Sequence, residues 1–237
     1  ILPTLLVMAQ EKKDCAYKYS MFEIGRVVAG TKEDGTCNER KHLGVVLYDK
    51  NATEKDLFFK GLTIVNNIFT QIKHKAPTLK KVAPLHSWQH PKNTALISCE
   101  GVDMGIINTL HPTNATKVDK VAKVVCIEID IDDFITVNGA NISFVEPSTQ
   151  QSTYYDLSLI MKEGKTFADL SECWNKLGLK ELENVKVIDT YDNGEIKSVT
   201  VRLIFSSKER TLEMDEVQAW IDEILKNLKE IGIEPRA

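Results

Sequence analysis

The stretch from Val185 to Phe205 constrains the fold most: two runs of β-prone residues flank Asn193-Gly194, the pair favoured in a tight type I′ hairpin. The residues around it extend the pattern. Tyr155, Leu157, Leu159 and Met161 alternate along one face of a preceding strand. Thr166-Phe-Ala-Asp169 is a Thr-x-x-Asp capping box, opening a helix with apolar Phe167, Leu170, Trp174 and Leu177 that Gly178 closes. From Glu213 to Ile231, Val217, Trp220, Ile221, Ile224, Leu225, Leu228 and Ile231 form one helical stripe. Lys226 and Lys229 near its end suit the negative pole of the helix dipole, and Gly232 follows. Ile233 to Arg236 can add a last strand. The order is βαββαβ, the ferredoxin-like split arrangement.

With Asn193 and Gly194 as the only loop residues, the hairpin register follows. Asp192 faces Glu195, Tyr191 faces Ile196, Asp189 faces Ser198, Val187 faces Thr200 and Val185 faces Arg202. The opposite sheet face pairs Ile188 with Val199 and Lys186 with Val201, continuing through Leu203 and Phe205. In a two-layer fold the helices cover one face only, so the more apolar set lies beneath them. Tyr191, Asp189, Ser198, Thr200 and Arg202 are then left on the open face. An aromatic ring beside hydrogen-bonding groups on an open sheet suits base stacking and edge reading; a polar solvent-facing surface carrying a chance Tyr is the plain alternative.

The first part reads as strands from Met21 to Val28 and His42 to Tyr48, with Gly30 to Arg40 as the turn between them. Leu57, Phe58, Gly61, Leu62, Val65, Ile68, Phe69 and Ile72 make Glu54 to Lys73 an amphipathic helix. Ala95 to Cys99, Val102 to Ile107 and Val121 to Asp130 are further strands. The expected class is α+β: an antiparallel sheet with helical cover, then the ferredoxin-like domain. The rhythm breaks at the polar run Glu146 to Thr153, which reads as a linker and sets domains at 1–145 and 146–237.

Residues 1–145 carry 18 Lys and Arg against 16 Asp and Glu, and residues 146–237 carry 12 against 18. Neither part is a polycation that would hold nucleic acid by bulk charge, so any RNA contact is local. Lys73-His74-Lys75 with Lys80-Lys81, after the first long helix, reads as a solvated loop. No apolar run approaches the ~20 residues that a membrane-spanning helix needs. The five cysteines are widely spaced without Cys-x-x-Cys, which fits a reducing compartment. The chain starts at Ile1 with neither an initiator Met nor a leader, as a piece of something longer would.

Chemical motifs are sparse. His86 and His90 are four apart, but Pro84 and Pro91 oppose a helix that would pair them on a metal. Glu128, Asp130, Asp132 and Asp133 read as a solvated strand end rather than a magnesium site. There is no phosphate-binding Gly-rich loop, dinucleotide fingerprint or nucleophile elbow, and no Cys–His pair by spacing. The fragment is expected to be non-catalytic and to bind no metal.

An ordered set of short motifs resembles the bacterial phenylalanyl-tRNA synthetase beta subunit. Phe22-Glu-Ile-Gly-Arg-Val-Val28 is preceded by a leucine-rich Leu2-Pro-Thr-Leu-Leu6. Asn38-Glu-Arg40 with His42-Leu-Gly44, Phe59-Lys-Gly61, His90-Pro-Lys-Asn-Thr-Ala95, Gly105-Ile106 with Leu110-His-Pro112, and Val124 to Asp130 follow in order. The last part is similar to that subunit's ferredoxin-fold anticodon-binding domain at Tyr155-Asp-Leu-Ser158, Asp189-Thr-Tyr191, Lys197-Ser198, Arg202-Leu-Ile-Phe205, Arg210-Thr-Leu212 and Arg236.

The resemblance implies a non-catalytic class II synthetase-like module at 1–145 that packs on alpha subunits in an (αβ)2 heterotetramer. Phenylalanine activation with ATP and Mg, and charging of tRNA(Phe), would occur on the alpha subunit; this fragment would bind no cofactor. Glu39-Arg40 also lacks the Gly-x-Gly-x-Gly lead-in that class II enzymes place before their ATP-contacting Arg. The terminal domain would contact the tRNA anticodon region: Tyr191 stacking a base, Asp189 and Ser198 hydrogen-bonding it, and Lys197, Arg202, Arg210 and Arg236 as phosphate or base partners. The family's editing and N-terminal RNA-binding domains would lie upstream, and the location implied is cytoplasmic. Two departures stand out. Tyr154-Tyr155 replaces the Arg-Arg common before the Asp of the first strand, and Glu213-Met214 replaces a Thr-Asp helix opening. Two rivals are a free-standing RNA-binding or regulatory protein and a self-contained amino-acid-activating enzyme.

Overall fold

A computed structural model of the chain describes residues 1–142, 150–194 and 196–236. Residues 146–149 of the expected linker, and the pairing of Asp192 with Glu195, therefore lie outside the described residues. The chain divides into two compact units, 1–143 and 144–237.

The first unit opens with helix α1 (Leu2–Glu11) and hairpin strands β1 (Lys18–Thr31) and β2 (Cys37–Asp49). Helix α2 (Glu54–Lys73) and strands β3 (Thr78–Lys81), β4 (Gln89–Cys99) and β5 (Val102–Leu110) follow. Helix α3 (Pro112–Val118), strand β6 (Lys123–Asp130) and helix α4 (Ile131–Thr136) complete it. The strands form one antiparallel sheet in the order β1-β2-β6-β5-β4-β3.

Helix α2 matches its expected bounds. The Thr53 hydroxyl caps it by accepting from Asp56 N–H at 3.1 Å, and Leu57, Gly61, Val65 and Phe69 form its buried seam. Gly61 lets the helix approach closely: a Cβ there would stand 3.0 Å from side-chain methyls of both Ile107 and Val125 on the sheet, so these would have to give way. With Phe134 of α4, which meets Phe69 edge-on at 5.0 Å, this packs against Val45, Leu47, Ile107, Val125 and Ile127. The reverse face (Val46, Tyr48, Val124, Cys126) is covered by α1 through Leu2, Leu5 and Ala9, and by Val118 of α3. Hence β2 and β6 are continuous apolar runs rather than alternating ones.

Several sequence expectations change here. Strands β1 and β2 run well beyond Val28 and before His42, leaving only a short turn in which Lys32 N–H donates to the Thr36 carbonyl at 2.8 Å. Lys80 and Lys81 sit on the edge strand β3 rather than in a loop, because pairing with β4 satisfies their backbone. Helices α1, α3 and α4 were not anticipated.

The second unit comprises strand β7 (Thr153–Met161), helix α5 (Phe167–Leu177), strands β8 (Leu182–Asp192) and β9 (Lys197–Phe205), helix α6 (Met214–Glu230) and the short strand β10 (Glu234–Pro235). This is the ferredoxin-like βαββαβ order, with sheet order β10-β7-β9-β8. Asp169 accepts from Thr166 N–H at 2.6 Å in the expected capping box, and Gly178 ends α5 at φ 59°. Glu213 opens α6 with its N–H donating to Glu216 at 3.2 Å. Leu157, Leu159, Val201, Leu203 and Phe205 form the sheet side of the core, and α5 and α6 supply Leu170, Trp174, Val217, Ile221, Ile224 and Leu228.

The hairpin register differs from the two-residue-loop expectation. Asp192 pairs with Lys197 and Tyr191 with Ser198, so the connection holds residues 193–196. Two side chains stabilise this wider turn: Asp192 accepts from Gly194 N–H at 2.9 Å, and Asn193 accepts from Ile196 N–H at 2.7 Å. A second irregularity falls between Val187 and Asp189, where one extra residue, Ile188, bulges out. Asp189 therefore faces Thr200, Val187 faces Val201, Lys186 faces Arg202 and Val185 faces Leu203. Lys186 and Ile188 are not beneath the helices as expected, nor are Val185 and Val187 on the open face.

Candidate nucleic-acid interface

Both helices of the second unit pack on one side of its sheet, so the even-numbered residues of β7 and β9 face away from the core. These are Tyr154, Asp156, Ser158 and Ile160 on β7, and Ser198, Thr200, Arg202 and Ile204 on β9. The bulge at Ile188 adds Asp189 and Tyr191. Strict alternation would keep Val185, Val187, Asp189 and Tyr191 on one face; the extra residue turns the valines toward the core side and leaves the other two outward.

At one end of this face Tyr191 is 46% exposed and stands opposite Ser198. The Arg236 guanidinium carbon lies 5.2 Å from the Tyr191 ring centroid, within cation–π range, and its Nη1 donates to the Ser198 hydroxyl at 3.4 Å. The fold brings Arg236 there by a defined route. Gly232 ends α6 at φ 79°, Ile233 is buried, Glu234 and Pro235 pair with β7, and Arg236 N–H donates to the Ser158 carbonyl at 2.8 Å. Ser198 is consequently only 5% exposed. The donors this end presents are those of the guanidinium above it. Asp189 accepts from Thr190 N–H at 2.8 Å, and Thr200 donates to Ser158 at 3.2 Å.

The other end carries Tyr154, Asp156 and Arg202. Arg202 donates through Nε and Nη2 to both Asp156 oxygens at 2.7 Å, and its guanidinium carbon lies 4.1 Å from the Tyr154 ring centroid. The hydrogen bond from Arg202 holds the Asp156 carboxyl below its usual range and raises the Arg202 guanidinium further.

The structure brings together Asp189, Tyr191, Ser198, Arg202 and Arg236 on this face. Lys197 and Arg210 are placed elsewhere. Lys197 sits on the opposite alternation from Ser198, paired with Asp192 at 3.1 Å. Arg210 precedes α6 and donates to both Glu216 oxygens at 2.7 and 2.6 Å, which pulls the Glu216 carboxyl down to about 2. Sequence reasoning missed Tyr154, Asp156, Ser158 and Lys186 as members of the surface. The signal for the first three was the polar half of the β7 alternation, whose apolar half had been read.

The acidic run in the first unit is not a solvated strand end. Asp130 and Asp133 bind Arg40 at 2.5 Å each, Glu128 meets His42 Nδ1 at 2.8 Å, and Asp132 accepts from Lys41 N–H at 2.9 Å. Asp130 also caps α4 through Asp133 N–H. Burial would raise the Asp130 carboxyl, but the Arg40 and Asp133 hydrogen bonds outweigh it and leave it lowered. His90 Nδ1 accepts from Lys92 and Asn93 N–H at 3.1 Å, so this histidine shapes a turn. Among the described residues no group of three or more His, Cys, Asp or Glu is arranged to hold a metal ion. None of the described helices is long and apolar enough to cross a membrane.

The family model for the phenylalanyl tRNA synthetase beta chain CLM domain matches residues 1–131, more than half of the chain. The chain belongs to the phenylalanyl tRNA synthetase beta chain family. The ferredoxin-fold anticodon binding domain model matches residues 148–236, the part that contains the open sheet. Similar relatives include the phenylalanine–tRNA ligase beta subunits of Carboxydothermus hydrogenoformans, 24% identical over 97% of this chain and 30% of its own length, and Staphylococcus haemolyticus, 27% over 95% and 28%. That of Mannheimia succiniciproducens is 28% identical over 73% of this chain and 22% of its own. The chain thus spans less than a third of the length of these beta-chain relatives.

Proposed function

We propose that the chain is the C-terminal region of a cytoplasmic phenylalanine–tRNA ligase beta subunit. Residues 1–145 act as the packing module toward alpha subunits in an (αβ)2 heterotetramer, and residues 146–237 meet the anticodon region of tRNA(Phe). The ATP- and Mg-dependent chemistry belongs to the alpha subunit. Two features of the first module support this division. Arg40, which occupies the family's second-strand entry, is spent on Asp130 and Asp133 rather than free for a phosphate, and the reverse sheet face is filled by Leu2 and Leu5 of α1.

The observation that carries the RNA reading is the Tyr191 ring, 46% exposed on the sheet face opposite helices α5 and α6, with the Arg236 guanidinium beside it. A base entering there can stack on the phenol, while Arg236 offers N–H donors to its edge or to a phosphate. Ser198 takes part by holding Arg236, or directly once Arg236 moves; Asp189 and Thr200 flank the ring. Arg202 and Arg210 are held by carboxylates and contribute less free charge than their number suggests. Lys197 lies beside the hairpin tip, where a backbone could pass.

The test is Tyr191→Ala in the assembled ligase. Losing one stacked base costs ~1–3 kcal/mol, so KM for tRNA(Phe) rises about 5- to 150-fold while phenylalanine-dependent ATP–pyrophosphate exchange stays near wild type. Unchanged charging kinetics would remove Tyr191 from the site. Co-purification of this subunit with an alpha chain tests the assembly.

A further inference from the structure

The face that carries Tyr191 has a second aromatic ring. Tyr154 is 61% exposed, more so than Tyr191; it lies on β7 opposite Ile204 of β9, at a position that the short β10 does not reach. Its neighbour Tyr155 turns inward against the core, so outward exposure here follows from alternation.

The ring has a fixed partner. Arg202 lies 4.1 Å from its centroid and is held by two hydrogen bonds to Asp156. A guanidinium locked in this way does not wander off the ring as a free Arg would. Lys186 stands across the strand pair from Arg202, with no ion pair among the described residues. The local set is therefore a phenol ring with an accessible surface, a positioned guanidinium and an uncommitted ammonium. That combination matches a stacked nucleotide, its base on the ring beside the guanidinium and its phosphate toward Lys186.

The geometry points to Tyr154 as a second stacking station for single-stranded RNA, serving a different nucleotide from the one at Tyr191. This rests on the reading of the open face given above. The separation follows from register. Tyr154 pairs with Ile204 and Tyr191 with Ser198, six residues apart on β9, and the two rings lie on strands flanking it. At ~3.3 Å per residue along a strand and ~4.8 Å between strands, the rings are roughly 20 Å apart along β9 and about 10 Å across it. One base cannot touch both. An unstacked segment running diagonally over β9 passes Thr200 and Arg202 on its way.

The experiment uses the assembled ligase and tRNA(Phe) transcripts carrying a fluorescent purine analogue at one anticodon-loop position at a time. Stacking on a ring quenches the analogue. In the wild type, quenching is expected at two separate positions. Tyr154→Ala should restore fluorescence at one of them and weaken binding about 5- to 150-fold, Tyr154→Phe should preserve both signals, and Tyr191→Ala should restore the other position. If Tyr154→Ala leaves every position quenched and affinity unchanged while Tyr191→Ala has its effect, the second station is overturned and the first stands. If neither substitution changes any signal, the reading of the whole face fails and the second station with it.

Discussion

In β2 of the first unit, Val45, Val46, Leu47 and Tyr48 are buried in succession, whereas in β9 of the second unit buried Val201, Leu203 and Phe205 alternate with partly exposed Thr200, Arg202 and Ile204. The first sheet lies between α2 with α4 on one side and α1 with α3 on the other. In the second, the described helices of the unit, α5 and α6, lie on one side. Helical coverage decides where each unit can act. A sheet covered on both faces offers contacts through its edges and rim, and its charged groups, such as Arg40, become internal fasteners. A sheet covered on one face keeps a broad surface on which side chains can meet a ligand without disturbing the core.

Substitutions at neighbouring positions of one strand should show this contrast most strongly. Leu47→Ala should cost about 2–5 kcal/mol, and its neighbour Val46→Ala should also destabilise clearly, since both faces of β2 are packed. In β9, Leu203→Ala should cost a similar ~2–5 kcal/mol, but Arg202→Ala should leave the unfolding midpoint near wild type. Chemical denaturation of each variant reads this out, and an Arg202→Ala loss matching Leu203→Ala would mean the second face is packed after all.

Asp119 gives the next effect. It accepts from Val121 and Ala122 N–H and from the Tyr48 hydroxyl, and lies 3.5 Å from Lys50. Burial would raise its carboxyl, yet these partners lower it well below the usual range. A lowered folded-state value contributes stability that is full above the unfolded value of about 3.9 and lost as pH falls toward the folded one. The first unit should therefore weaken as pH drops below about 4, and Asp119→Asn should flatten that dependence while costing about 1–3 kcal/mol near neutrality. Unfolding curves at stepped pH check both.

The smallest effect belongs to the open face. Asp156 is also lowered, by its hydrogen bond from Arg202, so the Arg202–Asp156 clamp should persist from neutral pH down to about 5. Binding of tRNA should show no step from that pair over this range, whereas a step removed by Asp156→Asn would show that the clamp titrates there.

Regular packing was readable in the residues; departures from regularity were not. The α2 stripe and the Thr166 cap set their elements because period and capping act locally. The β8–β9 register was misread because Asn193-Gly194 also fits a wider turn, stabilised by the Asp192 and Asn193 side chains, and because nothing in the alternation marks Ile188 as a bulge. Tyr191 and Asp189 still came out on the open face, since the four-residue connection shifts the register by two and preserves side. Lys186, beyond the bulge, was expected beneath the helices and lies on the open face instead. Arg236 was named as a partner for RNA, but its position over Tyr191 and Ser198 depends on β10 pairing with β7, a contact between chain segments far apart in sequence. Helix α1 does not stand out in the leucine-rich Leu2–Leu6 segment because its seam is short and depends on Gly44 opposite: a Cβ there would collide with Ile1.

The most direct test of the contrast is photocrosslinking from a photoreactive phenylalanine analogue placed at position 191, and separately at the exposed Phe22 of the first unit, in the assembled ligase with tRNA(Phe). Crosslinks are expected from position 191 to anticodon-loop nucleotides and none to that loop from position 22. Loop crosslinks from position 22, or a silent position 191, would contradict the contrast.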